Sequence, residues 1–142
     1  MTSRIDRDTL YLQVAQLFAE RGTCERLRVG AVAVRDKRIC CTGYNGTPPG
    51  EGHCSKECDL KKSCKVSIHA EANLISSAAK HGIPLEGTTL YTTHEPCLEC
   101  LKLIHQSGIS KVIFAEFYGG EMGSYLHATR IGIRVEQYEV KE

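Results

Sequence analysis

The chain lacks what membrane, export and polyanion-binding proteins need. No apolar run approaches the roughly 20 residues that span a bilayer. The opening residues, Met1 to Asp8, have no apolar core of the kind a signal peptide carries. Lys and Arg number 18 against 17 Asp and Glu, a formal net charge of +1. That balance gives no field for gripping a nucleic acid, although one or two local cations would serve a small anionic substrate. No internal repeat, linker or low-complexity tract interrupts the sequence. The 142 residues therefore read as one domain, 1–142, large enough to bury a core. Neither a membrane nor a nucleic acid is an expected partner, and the expected compartment is the cytoplasm.

What the chain has in excess is cysteine. Eight of them without an export signal point to metal binding more than to disulfides. Two segments concentrate the chemistry: His69-Ala70-Glu71, and Pro96-Cys97-Leu98-Glu99-Cys100. One histidine and two cysteines are the ligand set that leaves a tetrahedral Zn²⁺ one open position. Glu71, two residues from the histidine, is placed to move protons without binding the metal. Zinc lowers the pKa of a bound water toward ~7, and a neighbouring carboxylate can then carry the proton to the atom that needs it. Taken singly, the pieces have plainer readings. C-x-x-C alone fits a redox dithiol or half of a structural zinc knuckle, and Glu71 alone fits a carboxylate answering a helix dipole.

Periodicity supplies the scaffold. Ile5 to about Arg21 predicts a helix, with Leu10, Val14, Leu17 and Phe18 as its apolar stripe, Asp6 as N-cap and Ile5 against Leu10 as a hydrophobic staple. Val29–Val34 and Arg38–Thr42 predict a hairpin across Asp36-Lys37, in which Cys40 and Cys41 are packing residues. Gly43-Tyr44-Asn45-Gly46 and Pro48-Pro49-Gly50 break it. A helix is expected from His69 to about His81, closed by Gly82. Thr88–Thr93 is a strand, Cys97–Gln106 a helix, Lys111–Phe117 a strand, Gly123 to about Arg130 a weaker helix and Ile133–Val140 a last strand. Alternating strands and helices imply an α/β fold with a mostly parallel sheet, covered on both faces and edged by the hairpin. Both metal-bearing segments then open helices. The free N–H groups and positive dipole end there favour thiolate over thiol.

The pattern H-x-E…P-C-x-x-C is the signature of zinc nucleobase deaminases. The match extends over nearly the whole chain. Cys24 to Val32, Gly43-Tyr44-Asn45-Gly46 with Pro49-Gly50, His53-Cys54, Ile68 to Asn73 and Thr88 to Thr93 ahead of Pro96-Cys97 resemble the deoxycytidylate (dCMP) deaminases. The resemblance implies a three-layer α/β/α sandwich on a five-stranded mixed sheet. It implies the hydrolysis of dCMP to dUMP and ammonia, which supplies dUMP for dTTP synthesis, with Glu71 catalytic and zinc on His69, Cys97 and Cys100.

The resemblance also implies finer roles. Asn45 would contact the substrate nucleoside, although N-G is equally a common tight-turn dipeptide. Ala70 would offer a backbone N–H to the pyrimidine, and Tyr118 would close over the base or else serve as a strand-end core residue. Cys24, Cys54, Cys58 and Cys64 would form a second, structural zinc site, with His53 as the substitute ligand; alternatively, two or three of these are free surface thiols. Arg26, Arg28, Tyr44 and Gly46 would lie at a nucleotide effector site for dCTP as activator and dTTP with Mg²⁺ as inhibitor; ordinary solvated charge is the other reading of the two arginines. A homohexamer is implied as well. The chain departs from a common pattern at Gly119 to Gly123, where some relatives carry an arginine beside the aromatic. Competing readings are a deaminase of free cytidine, guanine or tRNA adenosine, a nucleotide-binding regulatory zinc module, and a purely structural zinc scaffold.

Overall fold

Asp6 starts the first helix as expected. Its carboxylate accepts from the Thr9 N–H at 2.9 Å and from the Thr9 hydroxyl at 2.9 Å, satisfying donors that a helix start leaves bare. The computed structural model describes residues 3–24, 27–50, 67–117 and 128–139. In order these form α1 (Arg7–Ala19), β1 (Gly30–Arg35), β2 (Arg38–Tyr44), α2 (Ala70–His81), β3 (Thr89–His94), α3 (Leu98–Gln106), β4 (Lys111–Glu116) and β5 (Arg134–Gln137). Residues 128–131 are also helical, the described part of the weak helix expected from Gly123.

All five strands join one mixed sheet in the order β2-β1-β3-β4-β5. The hairpin turns on Asp36 and Lys37, both with positive φ (50° and 67°), the pair of left-handed residues that a two-residue hairpin turn requires. A bulge between Ala33 and Val34 shifts the register. β1 runs antiparallel to β3 as well as to β2, while β3/β4 and β4/β5 are parallel. The expectation of a mostly parallel sheet is thus corrected to an even division. The connection through α2 carries the chain from β2 past β1 to β3, so β1 is an interior strand with antiparallel neighbours on both sides.

Strand alternation divides the core in two. Ala31, Ala33, Leu90, Val112 and Phe114 pack under α2 and α3, whereas Val32, Val34, Tyr91 and Ile113 pack under α1. The result is the three-layer α/β/α sandwich. The α1 face differs from its predicted stripe. Tyr11, Leu12, Ala15 and Ala19 are buried, Val14 and Phe18 flank them, and Leu10 and Leu17 are exposed at 39% and 65%. The Ile5–Leu10 staple is likewise solvent-facing, with Ile5 46% exposed. Spacing alone could not choose the face, because the sheet admits α1 only through small residues. A Cβ on Gly30 would lie 2.0 Å from the Ala15 carbonyl oxygen. Cys41 is buried and Cys40 packs at the core's edge, as expected of packing residues.

Candidate active site

His69 and Cys97 are the N-caps of α2 and α3, and Cys100 is buried one turn into α3. The two helices emerge from the sheet on the same face, which brings the three ligand atoms together. The His69 Nδ1 lies 3.3 Å from Cys100 Sγ and 3.4 Å from Cys97 Sγ, and all three ligand atoms fall within 4.8 Å of one another. Ordinary Zn–N and Zn–S bond lengths in a tetrahedron imply an N···S separation of about 3.6 Å. The donor set and its spacing therefore fit Zn²⁺, and among the described residues no other cluster of three such groups forms.

The two thiols are shifted in opposite directions. The hydrogen bond from Cys100 holds the Cys97 thiol down to about 4, helped by His69 and the Cys100 N–H and opposed by burial. Its partner Cys100 is pushed far up, first because it is the donor to Cys97 and then by burial. A dication held between them would favour the thiolate form of both.

Glu71 lies behind this triad in the first turn of α2, 4% exposed. Burial raises its pKa above the usual carboxylate range, against lowering by the Cys100 hydrogen bond, the His69 ring and the Thr92 hydroxyl. A carboxyl whose protonated form is favoured in this way is suited to taking up a proton as well as releasing one. The Thr92 hydroxyl donates to its Oε1 at 3.2 Å. Thr92 carried no role in the sequence reading; the available signal was a hydroxyl where strand alternation puts a core residue.

The G-Y-N-G turn is tied to α2. Gly46 and Ile68 exchange backbone hydrogen bonds of 3.1 and 2.7 Å, and Asn73 Nδ2 donates to the Tyr44 carbonyl at 2.8 Å. Asn45 is buried and clamps the segment that leads into β1. Its Oδ1 accepts from the Val29 N–H at 2.8 Å and its Nδ2 donates to the Leu27 carbonyl at 2.6 Å. Each group keeps one further hydrogen-bonding direction. Ala70 opens α2, so its N–H belongs to the four that a helix start leaves without an intrahelical partner.

Two cavities border this region. One of about 490 Å³ lies between the end of α1, the G-Y-N-G turn and α2, lined among others by Arg21, Thr23, Tyr44, Gly46, Asn73 and Ser77. The buried Thr23 hydroxyl in its wall has no hydrogen-bond partner among the described residues. The other, of about 140 Å³, is bordered by Arg28, Thr93, His94 and Glu116. Arg28 therefore lines a different cavity from Tyr44 and Gly46, and among the described residues Arg21 is the cation beside them. In the smaller cavity His94 bridges Thr93 Oγ1 (2.8 Å) and Glu116 Oε2 (3.3 Å), with its pKa lowered by burial against the pull of Glu116. Cys24 is buried. Its proposed partners Cys54, Cys58, Cys64 and His53 lie outside the described residues, as do Arg26 and Tyr118.

The family model for the cytidine and deoxycytidylate deaminase zinc-binding region matches residues 5–116. The chain belongs to this deaminase family. It is 41% identical over 141 residues to the ComE operon protein 2 of Bacillus subtilis, covering 98% of this chain and 75% of that one. To the deoxycytidylate deaminase of Mycobacterium phage D29 it is 40% identical over 126 residues, covering 79% and 96%. The crystal structure of the cyanophage S-TIM5 dCMP deaminase in complex with dCMP and dUMP superposes with a TM-score of 0.86. The two are 30% identical, over 96% of this chain and all of that one. Among the described residues no helix is long and apolar enough to cross a membrane.

Proposed function

We propose that the protein, as one domain over 1–142, converts dCMP and water to dUMP and ammonia in the cytoplasm. The observation that carries this is the His69–Cys97–Cys100 cluster with Glu71 buried behind it. The named phage deaminase and the nucleotide-bound cyanophage structure support dCMP as the substrate. His69, Cys97 and Cys100 would hold Zn²⁺, which when bound supplies a hydroxide nucleophile at neutral pH. Glu71 takes the proton released by the water and passes it to the pyrimidine ring nitrogen beside the amine-bearing carbon. It then takes the proton of the hydroxyl now on that carbon and carries it to the amine, so that the C=O forms as the C–N bond breaks and ammonia leaves. The Ala70 N–H and the remaining hydrogen-bonding directions of Asn45 are offered to the pyrimidine and the sugar, with Tyr118 over the base.

The same reading extends to regulation. The 490 Å³ cavity beside Tyr44 and Gly46 is our candidate for the dCTP and Mg²⁺–dTTP effector site. Arg21 and the unpartnered Thr23 hydroxyl are available there to bind a polar ligand, and the tether from Asn73 to Tyr44 links its wall to the helix of Glu71. Cys24, Cys54, Cys58 and Cys64, or His53 in place of one, would hold a structural zinc, and six copies would assemble.

The deciding assay offers dCMP, cytidine, dCTP and deoxyadenosine to the purified protein and follows ammonia. The expected result is release from dCMP well ahead of the others, with a sigmoidal dCMP response that dCTP straightens. Preference for cytidine would overturn the nucleotide assignment, and a hyperbolic response indifferent to dCTP and dTTP would overturn the effector site.

A further inference from the structure

Thr92 stands where an aliphatic side chain would be the simpler choice. It is fully buried, and its cross-strand neighbours Ala31 and Phe114 are equally buried and apolar. A valine would fill nearly the same volume there, whereas a hydroxyl destabilises such a layer unless it is hydrogen-bonded. The Thr92 hydroxyl has two acceptors at the same distance: Glu71 Oε1 at 3.2 Å and the carbonyl oxygen of His94 at 3.2 Å. It has one proton to give. A carboxylate is the stronger acceptor, so the proton favours Glu71 while that group is charged.

We propose that Thr92 is a positioning residue for the Glu71 carboxyl. Its hydrogen bond fixes one carboxyl oxygen against the floor of β3, which leaves the other directed toward the metal ligands and the reacting atoms. The His94 carbonyl completes the device. When Glu71 turns toward a substrate, the hydroxyl moves to that second acceptor and no buried donor is left bare. The arrangement holds the carboxyl without immobilising it, which suits a group that must serve two proton transfers in one turnover.

This inference rests on Glu71 being the proton carrier of the deaminase, and its test has one readout that does not require turnover. The full chain is prepared zinc-loaded as wild type, Thr92→Val and Thr92→Ser. The Glu71 carboxyl vibration is assigned in the infrared as the band missing from Glu71→Gln. Loss of the hydrogen bond is expected to shift that band in Thr92→Val and to leave it in place in Thr92→Ser. Turnover of dCMP should follow, with kcat down about tenfold in Thr92→Val, KM within about twofold, and Thr92→Ser within about twofold of wild type. In a Glu71→Ala background the valine should lower kcat no further. An unshifted band, a wild-type kcat in Thr92→Val, or the same loss with and without Glu71 would each overturn the assignment. A wild-type protein inactive on dCMP would overturn the proposed function instead, and the band shift would still decide the role of Thr92.

Discussion

Replacing Glu71 with glutamine is expected to lower turnover by on the order of a thousandfold or more while zinc stays bound. Glutamine has nearly the same size and keeps an acceptor for the Thr92 hydroxyl, so the cavity and the ligand cluster persist. It cannot take a proton from water or return one to the leaving amine. The same substitution should stabilise the metal-free fold. Burial raises the Glu71 pKa in the folded chain. Between the unfolded value, near 4.3, and that raised value, the native state therefore binds more protons than the unfolded one. Stability falls as pH climbs through this window. At neutral pH the metal-free Glu71→Gln protein should accordingly melt at a higher temperature than metal-free wild type. The difference should vanish below about pH 4, where both states are protonated. Stability gained as activity is lost is the mark of a residue kept for chemistry. A glutamine variant with normal turnover would remove Glu71 from the mechanism.

A second large effect is expected far from any charge. Gly43→Ala should destabilise the protein by about 2–3 kcal/mol and weaken zinc binding at least tenfold. The added Cβ would lie 2.5 Å from the Ala70 carbonyl oxygen and 2.8 Å from the Leu74 N. Both atoms belong to the backbone of α2, which cannot yield as a side-chain tip can. The helix must move off the sheet, taking its N-cap His69 and Glu71 with it. Denaturant unfolding and competition with a chelator measure the two effects separately. Ser76→Ala, on the exposed side of α2, serves as the neutral control. Wild-type stability and zinc affinity in Gly43→Ala would contradict this close packing of β2 on α2.

The Gly43 case shows what the sequence could and could not convey. Next to Tyr44-Asn45-Gly46, Gly43 reads as the start of a turn. In the structure it sits inside β2, and what it provides is space. Clearance between a strand and a helix depends on which helix lies above it, information no local pattern holds. The same is true of α1, where Leu10 and Leu17 keep helical spacing yet face solvent because Ala15 and Ala19 must approach Gly30. The zinc ligands were legible for the opposite reason. His69, Glu71, Cys97 and Cys100 lie in two short segments whose spacing is set by the first turns of two helices, and chemistry restricts which residue types can serve. Strand and helix positions followed from alternation, capping and glycine stops. The direction of β1 relative to β3 did not, since it depends on where the α2 crossover lands. Thr92 was invisible as anything but a strand residue and His94 fell just past the expected strand, because their roles come from what packs above them.

The most direct test is reconstitution. Protein stripped of metal should neither release ammonia from dCMP nor form dUMP. Returning zinc until the His69–Cys97–Cys100 site is filled should restore both products in equal amounts. Turnover that survives zinc removal, or a zinc-loaded protein that leaves dCMP unchanged, would contradict the account.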